Sequence, residues 1–470
     1  MAEVVHPAGG FAVLDADSLT KLLSFLDGAS LARFGCTSAT ILKLSAEHAP
    51  ALWTELHARD HARVAGLCTT HREPLARWRA GDALTTLSCV SWRRSPLISG
   101  TAFAPREGSA CAVYNNKLFM FGGWTVIGMG MDVTHLALSE EDSGFTATRL
   151  RVSAASPSPR YGHSVTACSS SIILFGGMTG GGYTGERNDL WFFKISSKAN
   201  QLEGEWSRPV CSGTPPPPCG YHSATHHEGQ LYVFGGISAG EAHGGLFVLD
   251  LATLVWTDLS CSFAPPARFG HSAHVFRESR SDSDGLYIFG GGNGGDLLRD
   301  GVDLCDVWRF DLLQRSWRRI ATSNGCPTRD VLGRCHSSSL VGAKVVFFGG
   351  SKRTSNRVLT LDLDTSTFQQ PTVAAVADGL PAPRFTHLAA VIKTELIIAC
   401  GWQHANRGMR STLGDVWRLD LAPPDAVRSL VLDQEDGDPE DGDPEDSADE
   451  DFEDDEENDE EESDDDDVWE

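Results

Sequence analysis

One short pattern recurs six times and decides what this 470-residue chain can fold into: an apolar run that ends in a glycine pair. The copies are KLFMFGG (117–123), SIILFGG (171–177), QLYVFGG (230–236), GLYIFGG (285–291), KVVFFGG (344–350) and the weaker ELIIACG (395–401). Their last glycines lie 54, 59, 55, 59 and 51 residues apart, and a period near 50 marks a ring of small sheets, one per copy. A third strand follows each of the last five pairs, as DLWFFKI (189–195), GLFVLDL (245–251), DVWRFDL (306–312), RVLTLDL (357–363) and DVWRLDL (415–421). A fourth is marked by an aromatic residue, Trp206, Trp256, Trp317 or Phe368. The next copy then opens with PRYGHS (159–164), PCGYHS (218–223), ARFGHS (267–272), GRCHSS (333–338) or PRFTHL (383–388). The expected fold is an all-β six-bladed β-propeller.

The sixth copy stops after its third strand. The missing strand stands at the other end, where VSWRRSPLISGTAFAPREGS (90–109) reads like WTDLSCSFAPPARFGHS (256–272). Residues 91–94 are therefore expected to complete the last blade, closing a propeller over 89–424 and removing its open edges. Antiparallel order puts the loops after the second strands on one face, here called upper. The long ones are 178–188, 237–244, 292–303 and 402–414, rich in Gly, Asn and Ser.

This order of motifs resembles the kelch repeat over about residues 89–421, and the resemblance implies a propeller that binds other molecules. Arg106, Arg160, Arg268 and Arg384 each open a first strand, while Cys219 takes that place in blade three and Arg334 sits one residue late in blade five. Two readings of these arginines stay open. They ring the upper mouth and hold carboxylate or phosphate groups, as arginines do in similar kelch adaptors, or each pairs with a carboxylate or carbonyl of its own blade. On the first reading Arg106, Arg160, Arg268, Arg334 and Arg384 bind a substrate, with Tyr161, Phe269 and Phe385 as aromatic anchors.

Residues 11–60 carry helical spacing. Leu19, Leu22, Leu23 and Leu26 form one apolar stripe behind Asp15 or Asp17, and Leu31, Phe34, Ile41 and Leu44 continue it. Three short helices cannot bury such faces alone, so a partner or the neighbouring domain must cover them. The segment resembles an F-box, in Leu14, LTKLLSFL (19–26), LARFGC (31–36), Leu52 and Trp53, with Asp15 where that family has Pro. By this resemblance Leu14, Leu19, Leu22, Leu23, Phe25, Leu26, Leu31, Phe34 and Leu52 dock to a Skp-type adaptor, and through it to a cullin-RING ubiquitin ligase. A structural reading packs the same residues on Leu75, Trp78 and Leu84 of a helical linker, 61–88. The stretch 75–94 running into the first blade also resembles plant F-box/kelch proteins of the light-sensing circadian group. Their flavin-binding domain has no counterpart in these residues, so photoreception does not carry over.

Charge is uneven. Of 64 acidic residues 26 lie in 433–470, which has no Lys or Arg, leaving 38 acids against 39 bases elsewhere. The tail cannot form a core and is expected to be disordered, either a solubilising segment or an electrostatic lure for basic proteins. A near-neutral body argues against direct nucleic-acid binding, and no apolar run reaches the ~18 residues of a membrane span. Twelve cysteines without a CxxC spacing signal neither zinc nor a disulfide framework, and a reducing compartment, cytoplasm or nucleus, is the expected location.

No catalytic residue, cofactor or metal is expected. His163, His222, His271, His336 and His387 recur once per blade and read as blade hydrogen-bonders. The sequence has no ExxxDxxxH iron motif or suggestive tyrosine cluster, and GGGYTGE (180–186) and GGGNGG (290–295) lack the GK[ST] ending of a phosphate loop. The expected function is a non-catalytic substrate receptor of an Skp-cullin-F-box ubiquitin ligase, its propeller presenting a bound protein, acidic or phosphorylated. The alternatives are a scaffold or acidic-tailed binder of basic proteins, or a propeller enzyme.

Overall fold

The computed structural model describes residues 2–5, 11–14 and 89–421, less the short stretches 101–102, 139–143, 153–154, 182–183, 199–200, 280, 295–300, 324–328, 351–355, 375–378 and 405–409. Within 89–421 the chain forms six antiparallel sheets arranged as a propeller. Blade two shows the pattern: Ser164–Ala167, Ile172–Gly180, Thr184–Lys198 and Gln201–Ser207 pair in sequence order. The second strand of each blade lies between neighbours and between blades, so both of its faces are buried. That double burial is why these strands read as unbroken apolar runs; Lys344–Phe348 is buried throughout.

Blade six draws its fourth strand from the other end of the propeller sequence. Its strands Leu388–Ile392, Glu395–Ala399 and Val416–Asp420 are completed by Cys89–Ser95, in register Ser91 to Asp420 and Ser95 to Val416. Trp92 on that strand is fully buried, 5.0 Å from the Phe348 ring of blade five. Apolar layers fill every gap between neighbouring blades. Phe234, Leu246, Ile288, Phe310 and Trp317 join blades three and four, and Val90, Trp92, Val346, Phe348 and Leu419 join five and six. Propeller stability is therefore interblade packing repeated six times.

The glycine pairs are required by backbone geometry. At 176 and 177 φ is +64° and +92°, and a Cβ at 177 would stand 2.7 Å from that of His163, just before the first strand. Blade six places Cys400 at the first position with φ +61°, at a cost of about 1–2 kcal/mol for a non-glycine residue; this explains why its motif is the weakest copy.

Connectors between blades add a parallel outer strand to several sheets: Leu97–Gly100 on Phe145–Arg149, Arg151–Val152 on Gln201–Ser207, Ser212–Gly213 on Val255–Asp258, and Thr372–Ala374 on Cys89–Ser95. One single-turn helix, Arg329–Leu332, interrupts the β pattern in the connector to blade five. Near the N-terminus Ala2–Val5 pairs antiparallel with Phe11–Leu14. The first four residues of the segment with helical spacing are thus a strand. Its remainder, from Asp15 through the linker to residue 88, lies outside the described residues, as does the acidic tail.

Candidate functional site

The first strands line the propeller axis, and just above them one residue per blade forms a backbone collar. Gly162 N donates to Gly108 O at 2.7 Å, Tyr221 N to Gly162 O at 2.7 Å, Gly270 N to Tyr221 O at 2.8 Å and Cys335 N to Gly270 O at 2.7 Å. Thr386 N to Cys335 O at 3.1 Å and Gly108 N to Thr386 O at 3.2 Å complete the circle. All six residues have φ between +52° and +63°. Only the left-handed conformation points each N–H back and each C=O forward around the ring, which explains the glycine at this position in three blades. Tyr221, Cys335 and Thr386 hold it without that freedom.

Above the collar each expected arginine is buried and meets a carboxylate of the propeller. Arg160 is 1% exposed, and all five of its donors are filled: Nε by Ser158 O, NH1 by Gly176 O and Asp189 Oδ1, and NH2 by Ser158 Oγ and Asp189 Oδ2. Arg106 meets Asp132, Arg268 meets Asp306 and Arg384 meets Asp415 in the same manner. Arg334 reaches Asp303 of the preceding blade at 2.8 Å and lies over the Phe269 ring. The guanidinium of Arg160, filled from within, has no donor left for a ligand. Burial pushes the carboxyls of Asp189, Asp306 and Asp415 up, but the arginine and indole hydrogen bonds outweigh it and hold all three below the usual carboxylate range.

A third partner recurs two residues beyond the aspartate. The indole N–H of Trp191, Trp308 and Trp417 donates to Asp189, Asp306 and Asp415 at 2.6–2.7 Å, and the hydroxyl of Thr134 faces Asp132 at 3.3 Å. In blade three all three members are replaced together, by Cys219, Gly245 and Phe247. That joint loss is a sequence signal for the pairing.

The histidines also turn inward. His222, His271, His336 and His387 each place Nε2 2.7–2.9 Å from a serine hydroxyl of the preceding blade, Ser164, Ser223, Ser272 and Ser337. Ala110 stands where His163 would find its serine, and neither ring nitrogen of His163 meets a partner with hydrogen-bond geometry. Burial pushes these imidazoles down, His163 to about 3 and His222 and His336 to about 4, so all are neutral at pH 7. A cavity of about 140 Å³ lies on the axis between the collar and these residues. Among the described residues the grouping with metal-ligand spacing is His227, Glu228 and Asp284, but Arg277 already takes both Asp284 oxygens at 2.9–3.0 Å.

Tyr161, Phe269 and Phe385, expected as aromatic anchors, are buried. They bridge Met178, Gly292 and Trp402 of the upper hairpins and pack with Ile237 and Cys335 as the floor of the upper face. What remains open to a partner is the wall above them. Trp124, Met129, Tyr221 and Ala242 are half-buried around that floor. At the tip of the blade-one hairpin, between Lys117–Thr125 and Gly128–Leu138, Val126 is 82% and Ile127 94% exposed. Sequence reasoning passed over this pair, although two β-branched apolar residues at a hairpin tip are a poor choice for a turn. The hairpins are tied laterally: Trp124 meets the Tyr161 ring of the next blade edge-on at 5.6 Å, and Glu186 accepts from Ala239 N at 2.7 Å.

The nine adaptor-docking positions cannot be placed against this site. Leu14 ends the N-terminal hairpin, and Leu19, Leu22, Leu23, Phe25, Leu26, Leu31, Phe34 and Leu52 lie outside the described residues.

Comparison with known proteins agrees with the architecture. The profile of the KLHDC2/KLHL20/DRC7 Kelch-repeats domain matches residues 132–350 and 262–425. Adagio protein 3 of Arabidopsis thaliana is 36% identical over 259 residues, 53% of this chain and 38% of its own length. Adagio-like protein 1 of Oryza sativa subsp. japonica is 30% identical over 367 residues, 73% of this chain and 54% of its own. Host cell factor 1 of Homo sapiens is 24% identical over 371 residues, 71% and 17%. The chain thus spans about half, or less, of the length of these relatives. Six blades, five of them with the glycine pair, the closing strand and the profile match together establish that the chain belongs to the kelch-repeat propeller family.

Proposed function

We propose that this chain is a non-catalytic substrate receptor of an Skp-cullin-F-box ubiquitin ligase. The leucine stripe of residues 14–52 docks to a Skp-type adaptor, and the upper face of the propeller holds a protein for ubiquitination. The observation that carries the reading is the join, in one chain, of an F-box-like pattern to a closed kelch propeller that shares 36% identity with Adagio protein 3. Eight of the described cysteines are free thiols, which accords with cytoplasm or nucleus. Ubiquitin transfer then follows from proximity, and the receptor contributes no reacting group. Because the arginines are buried against carboxylates of the propeller, an acidic or phosphorylated target has to be read by other upper-face side chains, and Val126 and Ile127 are its first contacts.

The test is co-purification of the full chain with a Skp-type adaptor. Recovery of the adaptor that is lost in Leu22→Glu, Leu23→Glu supports the reading, and equal recovery with the variant defeats it. The 26 carboxylates of 433–470 favour a second reading, a salt-sensitive binder of basic proteins. Capture of histones that survives the leucine variant but not removal of 433–470 would select it.

A further inference from the structure

Blade four differs from its neighbours at its outer edge. In blades one, two, three and six a connector strand covers the fourth strand, and in blade five Ser323 N bonds Ser366 O at 3.0 Å. Among the described residues blade four has four strands only, Ser272–Phe276, Gly285–Phe289, Val307–Asp311 and Ser316–Ile320, and nothing pairs with the outer side of the last. Its connector, residues 259–271, is described throughout and makes no pairing with Ser316–Ile320. The outer backbone groups of that strand are therefore an open row of donors and acceptors.

The side chains there are cationic. Trp317 is buried, while Arg318 and Arg319 are exposed on opposite faces of the strand. Arg318 is met by Glu278, and Arg319 has no ion pair among the described residues. Arg319 is in register with Trp308, against which the 63% exposed Phe263 ring lies at 5.8 Å, giving that face an apolar ledge beside a free charge.

We propose that this edge accepts an extended acidic segment of a partner protein as a fifth strand of blade four. Main-chain bonds supply the pairing, and adjacent carboxylates on the incoming strand meet the two arginines. A second copy of the same edge is a poor occupant, because it would set arginine against arginine. The surface lies on the propeller's flank, apart from the upper face.

The test uses the full-length chain and a fluorescein-labelled peptide, Thr-Val-Glu-Glu-Val-Phe-Thr, followed by fluorescence anisotropy. Saturable binding is expected to fall about tenfold or more in Arg318→Glu, Arg319→Glu, because charge-assisted contacts become repulsive. The same peptide N-methylated at alternate backbone nitrogens keeps its charge and is expected not to bind. Equal binding by the methylated peptide would show attraction without strand pairing and overturn the proposal, as would no binding at all. Sedimentation velocity is expected to show a monomer; a dimer dissociated by the arginine variant would assign the edge to a second copy instead and also overturn it.

Discussion

The guanidinium of Arg268 spans both oxygens of Asp306, at 2.7 and 3.1 Å, while donating to Gly290 O at 2.9 Å and Pro266 O at 3.0 Å. It is fully buried. One side chain thus ties the start of a first strand to the glycine turn and to the third strand of its blade. Repeated in blades one, two and six, this clamp fixes the upper face on which the hairpins stand.

The buried histidines make stability depend on pH. All five are pushed below their ordinary value near 6.5, burial being the main cause. Between pH 6.5 and about 4 the unfolded chain binds protons that the folded chain refuses, so stability is full above that window and falls as pH drops through it. Each imidazole contributes about 1.4 kcal/mol per pH unit while it titrates. Urea unfolding at about pH 7.5 and about pH 5 should show the loss, with net proton uptake on unfolding at the lower pH. A flat profile would mean these histidines are solvated.

Ring closure rests on Trp92. Its replacement by alanine removes a fully buried indole from the layer between blades five and six, at a cost of about 3–5 kcal/mol. Denaturant titration measures it, and a loss below about 1 kcal/mol, the scale of an ordinary surface change, would place the closing strand elsewhere.

The collar predicts a contrast between two glycines. Gly270 has φ +60°, and a Cβ there would stand 2.8 Å from Cys335 N; Gly229 has φ +76° with open space around it. Gly270→Ala should cost clearly more than the ~1–2 kcal/mol of left-handed strain that Gly229→Ala carries alone. Equal thermal shifts in the two variants would contradict the collar.

The exposed hairpin tip should separate binding from folding. Val126→Asp with Ile127→Asp is expected to leave stability within about 0.5 kcal/mol, since neither side chain packs on the body. Capture of protein partners from extract, compared with wild type by mass spectrometry, should lose a specific set. An unchanged set would remove the tip from the site.

Blade number, strand order and the closing strand were legible in the sequence because burial on both faces leaves an unbroken apolar run, and because VSWRR repeats the pattern of a fourth strand. The clamp was not. Asp306 lies 38 residues beyond Arg268, and only pairing of the second and third strands brings it back. The trace it leaves is comparative: where blade three carries Cys219 it also carries Gly245. The burial of Tyr161, Phe269 and Phe385 was not legible for a related reason, since local pattern cannot show that the upper hairpins fold over them.

The most direct test is a double-mutant cycle on Arg268 and Asp306. Arg268→Cys and Asp306→Gly, the residues blade three uses, should each cost about 3–5 kcal/mol alone, because each strands a buried charge. The double variant should cost less than their sum by about 1–3 kcal/mol. Additive, small losses accompanied by loss of partner capture would contradict the account and return the arginines to a ligand.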